Sequence, residues 1–405
     1  MENFYDLLIL GGGPAGLAAG VYGARARMKT AILEKGKPGG QAATTEELEN
    51  YPGFGKGTTG PGLSEEIAKH AKEFGAEFIQ DNIEFVDLNS TPKKVVGKKK
   101  EYYAKSIVYA LGAEPRLLKV EGEGKFRGKG VSYCATCDAD FFEELEVVVV
   151  GSGDAAIEEA EYLSKFADKV TMIVIHEEGK VDANKVSAER AFKNPKLNWL
   201  WNSTVQSING DEIVESITVK NIKTGEVQDY PAHGVFIFIG IKPTSDLVKD
   251  QLELNEQGYI ITDERMRTNI EGVFAAGDVR EKYLRQVITA ASDGATAAFA
   301  AEKYVHETEI WEKEVLKVKK PVIVTFYNPT DLKGTEKIGI VDNFIKENER
   351  FALVKVDATR NELIKTRYDI DSKKLPTIWL FKDGAKVDEI KSLTYEELEK
   401  LNKQH

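Results

Sequence analysis

Two cysteines are all that this 405-residue chain contains, and they stand two residues apart at Cys134 and Cys137. So low a count excludes the disulfide framework of a small secreted domain. It also argues against a closed zinc site, which takes four Cys or His ligands, because there is no third cysteine and the five histidines are scattered; no metal is expected. Basic charge is in short supply. Lys and Arg number 55 against 66 Asp and Glu, a formal net charge of −11 with a pI near 5.3, which argues against nucleic acid or an anionic membrane as the main partner. Long apolar runs are missing too: Val147-Val148-Val149-Val150 is typical of the longest and falls far short of a bilayer span. Met1-Glu2-Asn3-Phe4-Tyr5-Asp6 carries no basic n-region. The expectation is a cytoplasmic protein of two or three domains, each burying its own core without covalent staples.

What is present is chemistry concentrated in short runs. In Tyr133-Cys134-Ala135-Thr136-Cys137-Asp138 the cysteine pair can close a short disulfide, and the thiolate of one can attack an outside disulfide that the other resolves. Asp138 follows directly, a carboxyl placed to pass a proton to the leaving thiolate. At the start of the chain a buried-strand pattern over residues 4–10 runs into Gly11-Gly12-Gly13-Pro14-Ala15-Gly16. Read as G-x-G-x-x-G, Gly11 serves the tight turn, Gly13 the close approach of a pyrophosphate, and Gly16 the packing of the next helix on the strand. That helix is expected over 15–27 and a second strand over 30–33. Glu34 ends the strand, about 20 residues beyond the glycines, where a carboxylate takes a ribose hydroxyl.

Pro38-Gly39-Gly40-Gln41 and Glu49-Asn50-Tyr51-Pro52-Gly53-Phe54 read as loops that let backbone approach a flat ring, or as plain turns. An amphipathic helix is expected over 63–74, a strand over 83–88, a solvated basic hairpin tip over 93–100 and a buried strand ending in Gly over 106–113. A second nucleotide-type unit follows the cysteines. Val147 to Val150 lead into Gly151-Ser152-Gly153-Asp154-Ala155-Ala156, with Ala in the packing position, then a helix over 157–166 and a strand over 169–175. Glu177 lies past that strand, where a carboxylate suits a 2′-hydroxyl and repels a 2′-phosphate, favouring NADH over NADPH; the same residues read equally as a solvated strand end. Further strands are expected around 217–219, 235–240 and 259–261. Residues 272–279 form one whose end offers Gly277 and Asp278, and Arg285-Gln286 open an Ala-rich helix to Tyr304.

Taken in order, Gly11 to Gly16, Gly40-Gln41, Asn50-Tyr51-Pro52-Gly53, Cys134-Ala135-Thr136-Cys137-Asp138, Gly151 to Ala156, Ala276-Gly277-Asp278-Val279 and Arg285-Gln286 resemble a low-molecular-weight, bacterial-type thioredoxin reductase over residues 1 to about 310. The resemblance implies an α/β protein with two Rossmann-like three-layer domains. An FAD domain is built from 1–114 and 242–312, and an NAD(P)-type domain, 115–241, is inserted in it and carries the dithiol. It implies a homodimer whose inserted domain swivels, with Cys137 facing the flavin and Cys134 attacking a thioredoxin or thioredoxin-like protein. FAD would be contacted by Gly11, Gly13, Pro14, Ala15, Gly16, Glu34, Lys35, Gly40, Gln41, Asn50, Ile83, Gly112, Gly277, Asp278, Arg285 and Gln286. A second dinucleotide, NADH, would meet Gly151, Gly153, Asp154, Ala155, Ala156 and Glu177.

One departure bears on the electron donor. The family grips the 2′-phosphate of NADPH with His-Arg-Arg and a further Arg, whereas this run is His176-Glu177-Glu178-Gly179-Lys180-Val181-Asp182. The run resembles that of clostridial-type relatives described as flavin thioredoxin reductases reduced by ferredoxin. Beyond the charged segment 311–320, residues 318–405 look like a thioredoxin fold, with strands at 321–327, 354–357 and 375–381 and with Pro376 where that fold keeps a cis-proline. The fold's Cys-Gly-Pro-Cys falls on Asp331-Leu332-Lys333-Gly334, so this domain is expected to be redox-inactive. Two other readings stand beside a disulfide reductase: a flavoprotein electron-transfer subunit for a peroxiredoxin-type peroxide-reducing system, and a docking or scaffold protein acting through the C-terminal domain.

Overall fold

The computed structural model describes residues 3–44, 48, 50–55, 57–390 and 393–404; Glu49 lies outside them. Two compact units divide the chain, Met1–Ala301 and Glu302–His405.

The first unit is organised on the strand Phe4–Leu10, which lies parallel to Thr30–Glu34 on one side and to Glu101–Tyr109 on the other. Leu7 to Leu10 are fully buried, because a parallel strand covered on both faces reads as a continuous apolar run rather than an alternating one. Glu77–Gln80 extends the sheet beyond Thr30–Glu34, Lys93–Gly97 and Ile83–Asp87 extend the other side, and Val273–Ala275 joins Glu101–Tyr109 in parallel. Both ends of the unit therefore build one sheet. A second, all-parallel sheet runs in the order Leu197–Leu200, Lys169–Ile173, Glu146–Val150, Gly234–Ile237, Val131–Ser132. Along Glu146–Val150 successive side chains face opposite ways. Val147 and Val149 pack with Ile157, Ala160 and Met172, while Val148 and Val150 pack with Val205, Ile217 and Val219 of a three-stranded antiparallel sheet. The chain passes between the two systems through Ala113–Pro115 and Ile241–Pro243, which pair antiparallel.

Three local expectations are corrected here. Lys93–Gly97 is a paired strand with Lys93 buried, so only residues 98–100 form an exposed tip. Burial holds the Lys93 ammonium below the ordinary lysine range, against the pull of Glu271 and Asp87. Residues 259–261 form no strand; Ile260 makes single bridges to Leu254 and Arg280. The helix expected to stop at Tyr304 is Val287–Trp311.

The second unit has a four-stranded sheet in the order Ala352–Asp357, Val322–Tyr327, Thr377–Lys382, Ala385–Ile390. Val322, Val324 and Phe326 face one cluster and Ile323 the other. Trp311 and Val315 are buried in the first of these clusters, and Trp311 donates its indole N–H to the Tyr368 hydroxyl at 3.0 Å. The charged segment 311–320 thus contributes to this core: Glu312–Leu316 forms a π-helical turn that carries apolar side chains into it. The Leu375–Pro376 bond is cis, and Asp331 stands at the N-cap position of the helix Leu332–Glu347 without a side-chain cap.

Candidate active site

The first glycine turn leaves the carboxyl end of Phe4–Leu10, the edge at which ligands bind in parallel sheets of this kind. Gly11 has φ +105°, and a Cβ there would lie 2.4 Å from the Ala110 carbonyl oxygen; one on Gly16 would lie 1.8 Å from the Gly11 oxygen. Close packing thus demands glycine at both positions. The Glu34 carboxylate accepts from Gly12 N at 2.7 Å and Gly36 N at 3.0 Å. Gly39 N donates to Gly12 O at 2.7 Å, and a Cβ on Gly40 would lie 3.1 Å from Gly13 Cα, so the Gly39-Gly40-Gln41 loop lies on the turn. From the far end of the unit, Gly277 lies against Ala15, where a Cβ would come within 2.9 Å of the Ala15 Cβ. Next to it Asp278 Oδ1 is buried with no hydrogen-bond partner among the described residues, as is Arg285 Nε. Burial pushes the Asp278 carboxyl above the ordinary carboxylate range, opposed by Lys282 and Arg285. A glycine cradle with unsatisfied buried polar atoms beside it fits a bound polar cofactor. Lys35 directly follows Thr30–Glu34, Ile83 opens the strand Ile83–Asp87, and Gly112, φ +71°, accepts from Thr244 N at 3.0 Å.

Cys134 and Cys137 form a disulfide with a Cα–Cα distance of 5.4 Å. The Ser132 hydroxyl donates to Asp138 Oδ2 at 2.5 Å and accepts from Cys134 N at 3.1 Å, tying both ends of the redox turn to the strand before it. Thr136 Oγ1 accepts from Gln286 Nε2 at 3.1 Å, and the other atom of that amide, Gln286 Oε1, accepts from Asn50 Nδ2 at 3.1 Å. Arg127 donates to Gln41 Oε1 at 2.8 Å and lies over the ring of Tyr133. Gln41 and Gln286, two of the residues expected at the flavin, thus meet the segment around the disulfide, and Asn50, a third, binds Gln286.

The second glycine turn is differently dressed. Gly151, φ +140°, would set a Cβ 2.3 Å from the Phe238 oxygen, while nothing lies within 4 Å of a Cβ on Gly153. The Ser152 carbonyl accepts from Asp182 N at 2.9 Å and Ala183 N at 3.0 Å, and the Ser152 hydroxyl donates to Asp182 Oδ2 at 2.7 Å. Asp182 also meets His176 Nε2 at 2.8 Å, and Asn184 donates through both N and Nδ2 to Asp154 Oδ1. Glu177 binds Lys223 at 2.6 Å and Lys180 at 3.1 Å, which draw its carboxyl down to about 2.

Residues 5–294 match the family model for pyridine nucleotide-disulphide oxidoreductases, and residues 302–404 match the thioredoxin model. The thioredoxin reductase of Peptoclostridium acidaminophilum is 56% identical over 311 residues, covering 75% of this chain and 98% of that relative. The Bacillus subtilis (strain 168) thioredoxin reductase is 46% identical over 320 residues, covering 79% and 99%. This chain belongs to the thioredoxin reductase family. The thioredoxin reductase structure from Streptococcus pyogenes MGAS5005 matches with a TM-score of 0.72 at 42% identity, over 76% of this chain and 99% of that one. Family membership makes the protein a flavin-dependent disulfide oxidoreductase with FAD as its cofactor. The two model matches fall on either side of the division after Ala301.

Sequence reasoning missed three residues that the fold brings to the redox turn: Ser132, Thr136 and Arg127. Ser132 and Thr136 lie within two residues of a cysteine and were open to inspection as local hydrogen-bonding groups. Nothing local marks Arg127.

Proposed function

We propose that the protein carries two electrons from FAD through Cys134 and Cys137 to the disulfide of a thioredoxin or thioredoxin-like protein. The observation that supports it most directly is the contact of the disulfide turn, through Thr136, with Gln286, whose amide is held in turn by Asn50. FAD would be held by the first glycine turn, Glu34, Gly40-Gln41 and Asp278, and supplies two-electron chemistry when bound. Breaking the Cys134–Cys137 bond consumes two electrons and two protons. The Cys134 thiolate then attacks one sulfur of the substrate disulfide, forming a mixed disulfide and expelling the other sulfur as a thiolate. Asp138, oriented by Ser132, is placed to protonate a leaving thiolate. Cys137 next attacks the Cys134 sulfur, re-forming the internal disulfide and releasing the second substrate thiol.

An expected outcome follows for the flavin. The purified protein is yellow, and Asp278→Ala weakens FAD binding about tenfold or more, since a hydrogen bond to a charged buried group contributes about 1.5–3 kcal/mol. Titrating the apoprotein with FAD reads this; unchanged affinity would remove Asp278 from the flavin site.

The donor we infer is reduced ferredoxin, with NADH second and NADPH poor, as in the ferredoxin-reduced subgroup that the sequence resembles. Glu177, Glu178 and the Asp182 contacts with Ser152 support this reading. Parallel turnover assays with the three donors test it. A cytoplasmic homodimer is proposed on the resemblance alone.

The C-terminal unit is proposed as a redox-inert adaptor that governs partner docking. Asp331 and Gly334 stand where a thioredoxin carries its cysteines, and an effective concentration set by the tether favours either self-competition or recruitment of a second protein. Because Trp311 is buried among Phe326, Tyr368 and Phe381, a cut near residue 314 would strand it, so truncation belongs after Ala301. The truncated enzyme is expected to keep its flavin content and flavin reduction and to change its apparent KM for the protein disulfide severalfold. Identical substrate parameters would leave the unit a stabilising appendage.

A further inference from the structure

Thr136 stands between the two cysteines, and its hydroxyl makes two contacts. Thr136 Oγ1 lies 3.4 Å from Cys134 Sγ, and it accepts from Gln286 Nε2 at 3.1 Å. The second contact fixes the sense of the first. Gln286 presents its NH2 group to Thr136 because its amide oxygen is taken by Asn50 Nδ2 at 3.1 Å, so the hydroxyl oxygen accepts there and its own hydrogen is left for the sulfur. In the disulfide the Cys134 sulfur has no hydrogen to give, so across this contact the hydroxyl is the donor. The series of donors Asn50, Gln286, Thr136 thus ends on the sulfur that attacks substrate in the proposed reaction. None of the steps above uses this hydroxyl.

We propose that Thr136 is a catalytic residue: its hydroxyl donates to the Cys134 sulfur and stabilises it as the thiolate that attacks the substrate disulfide. The thiolate, not the thiol, is the nucleophile, and a hydrogen bond to the charged form of a group favours that form. Once the dithiol is made, the acceptor is an ion, and a hydrogen bond to an ion is about twice as strong as one between neutral groups. No proton leaves Thr136. The Cys134 sulfur bonds to one substrate sulfur, the other departs with the electron pair, and the hydroxyl keeps its hydrogen. Asp138 and Tyr133 on the turn, Arg127 and Glu123 in contact with Tyr133, and Glu159 on the helix Asp154–Leu163 that packs on Ala135 are the titratable groups at hand; all remain in every variant below.

The inference rests on Cys134 being the attacking sulfur. Its test reads that sulfur without substrate, electron donor or turnover, so its failure is separate from failure of the proposed reaction. Cys137→Ser leaves Cys134 as the only thiol of the chain, and the FAD-bound protein is alkylated with iodoacetamide across a range of pH. Adding Thr136→Val, which keeps the shape and removes the hydroxyl, is expected to raise the pH midpoint of alkylation by about half a unit to one unit. The plateau rate above the midpoint should not fall, because a more basic thiolate is the stronger nucleophile. Thr136→Ser, which keeps the donor, should stay within about 0.2 unit of the parent. A merely structural role would instead lower the plateau and leave the midpoint in place. That result overturns the proposal, as does an equal rise in Thr136→Ser. Thr136 is exposed, so these changes leave the core intact, and Thr136→Ala should repeat the rise without the branched side chain.

Discussion

Cys137→Ser is expected to abolish reduction of protein disulfides, by on the order of a thousandfold or more, while FAD stays bound at wild-type stoichiometry. The size follows from chemistry in which each sulfur has an obligatory part: without Cys137 no internal disulfide exists to accept the electron pair or to resolve the mixed disulfide. The retained flavin follows from the fold, since the glycine cradle and Asp278 belong to the sheet of Phe4–Leu10 and Val273–Ala275, not to the sheet that carries the dithiol. Cys134→Ser should be equally inactive in turnover for a different reason, having lost the attacking sulfur. Incubation with substrate disulfide separates the two: only the variant that keeps the attacking cysteine should accumulate a stable mixed disulfide. Near wild-type turnover in Cys137→Ser would overturn the assignment, and a mixed disulfide trapped by Cys134→Ser instead would reverse the order of the cysteines.

The parts of this site that were legible in the sequence are those built by consecutive residues. A glycine turn needs its strand, its glycines and its helix within a short stretch, so both turns could be read directly, and the Cys-x-x-Cys pair carries its meaning in its own spacing. Glu34 was legible because a strand of known length ends at a fixed distance from the turn. The chain of contacts from Asn50 through Gln286 to Thr136 was not, since residues 150 or more positions apart meet only after both sheets have formed. In the stretch Ile157-Glu158-Glu159-Ala160-Glu161, Glu158 is exposed while Glu159 is half-buried, and only the packing of that helix distinguishes them. Lys93 looked like part of a solvated basic run because sequence charge does not report strand pairing; the strand beside it buries the residue. Trp311 lay among Glu and Lys residues, and its place in the C-terminal core depends on a helix running past its expected end.

NADPH is expected to reduce the flavin poorly, at least about a hundredfold less efficiently than the productive donor. An NADPH site needs charge-assisted hydrogen bonds to the 2′-phosphate, and the run past the second strand offers Glu177 and Glu178 instead of arginines. Lys180 and Lys223, the cations at hand, are already engaged by Glu177. Binding the phosphate would require breaking those pairs and then accommodating a like-charged carboxylate. Anaerobic stopped-flow mixing with NADPH, NADH and reduced ferredoxin reads the flavin directly, and fast, saturable bleaching by micromolar NADPH would refute this reading of the acidic run. Ionic strength separates the two possible sources of discrimination. Exposed charges such as Glu177 are screened as salt rises, so if repulsion is the whole barrier, the deficit of NADPH relative to NADH should narrow in salt. The hydrogen bonds from Asp182, Ala183 and Asn184 onto Ser152 and Asp154 act at short range on the turn shared by both dinucleotides. If they are what closes the site, both nicotinamides should remain slow at every salt concentration and only reduced ferredoxin should bleach the flavin.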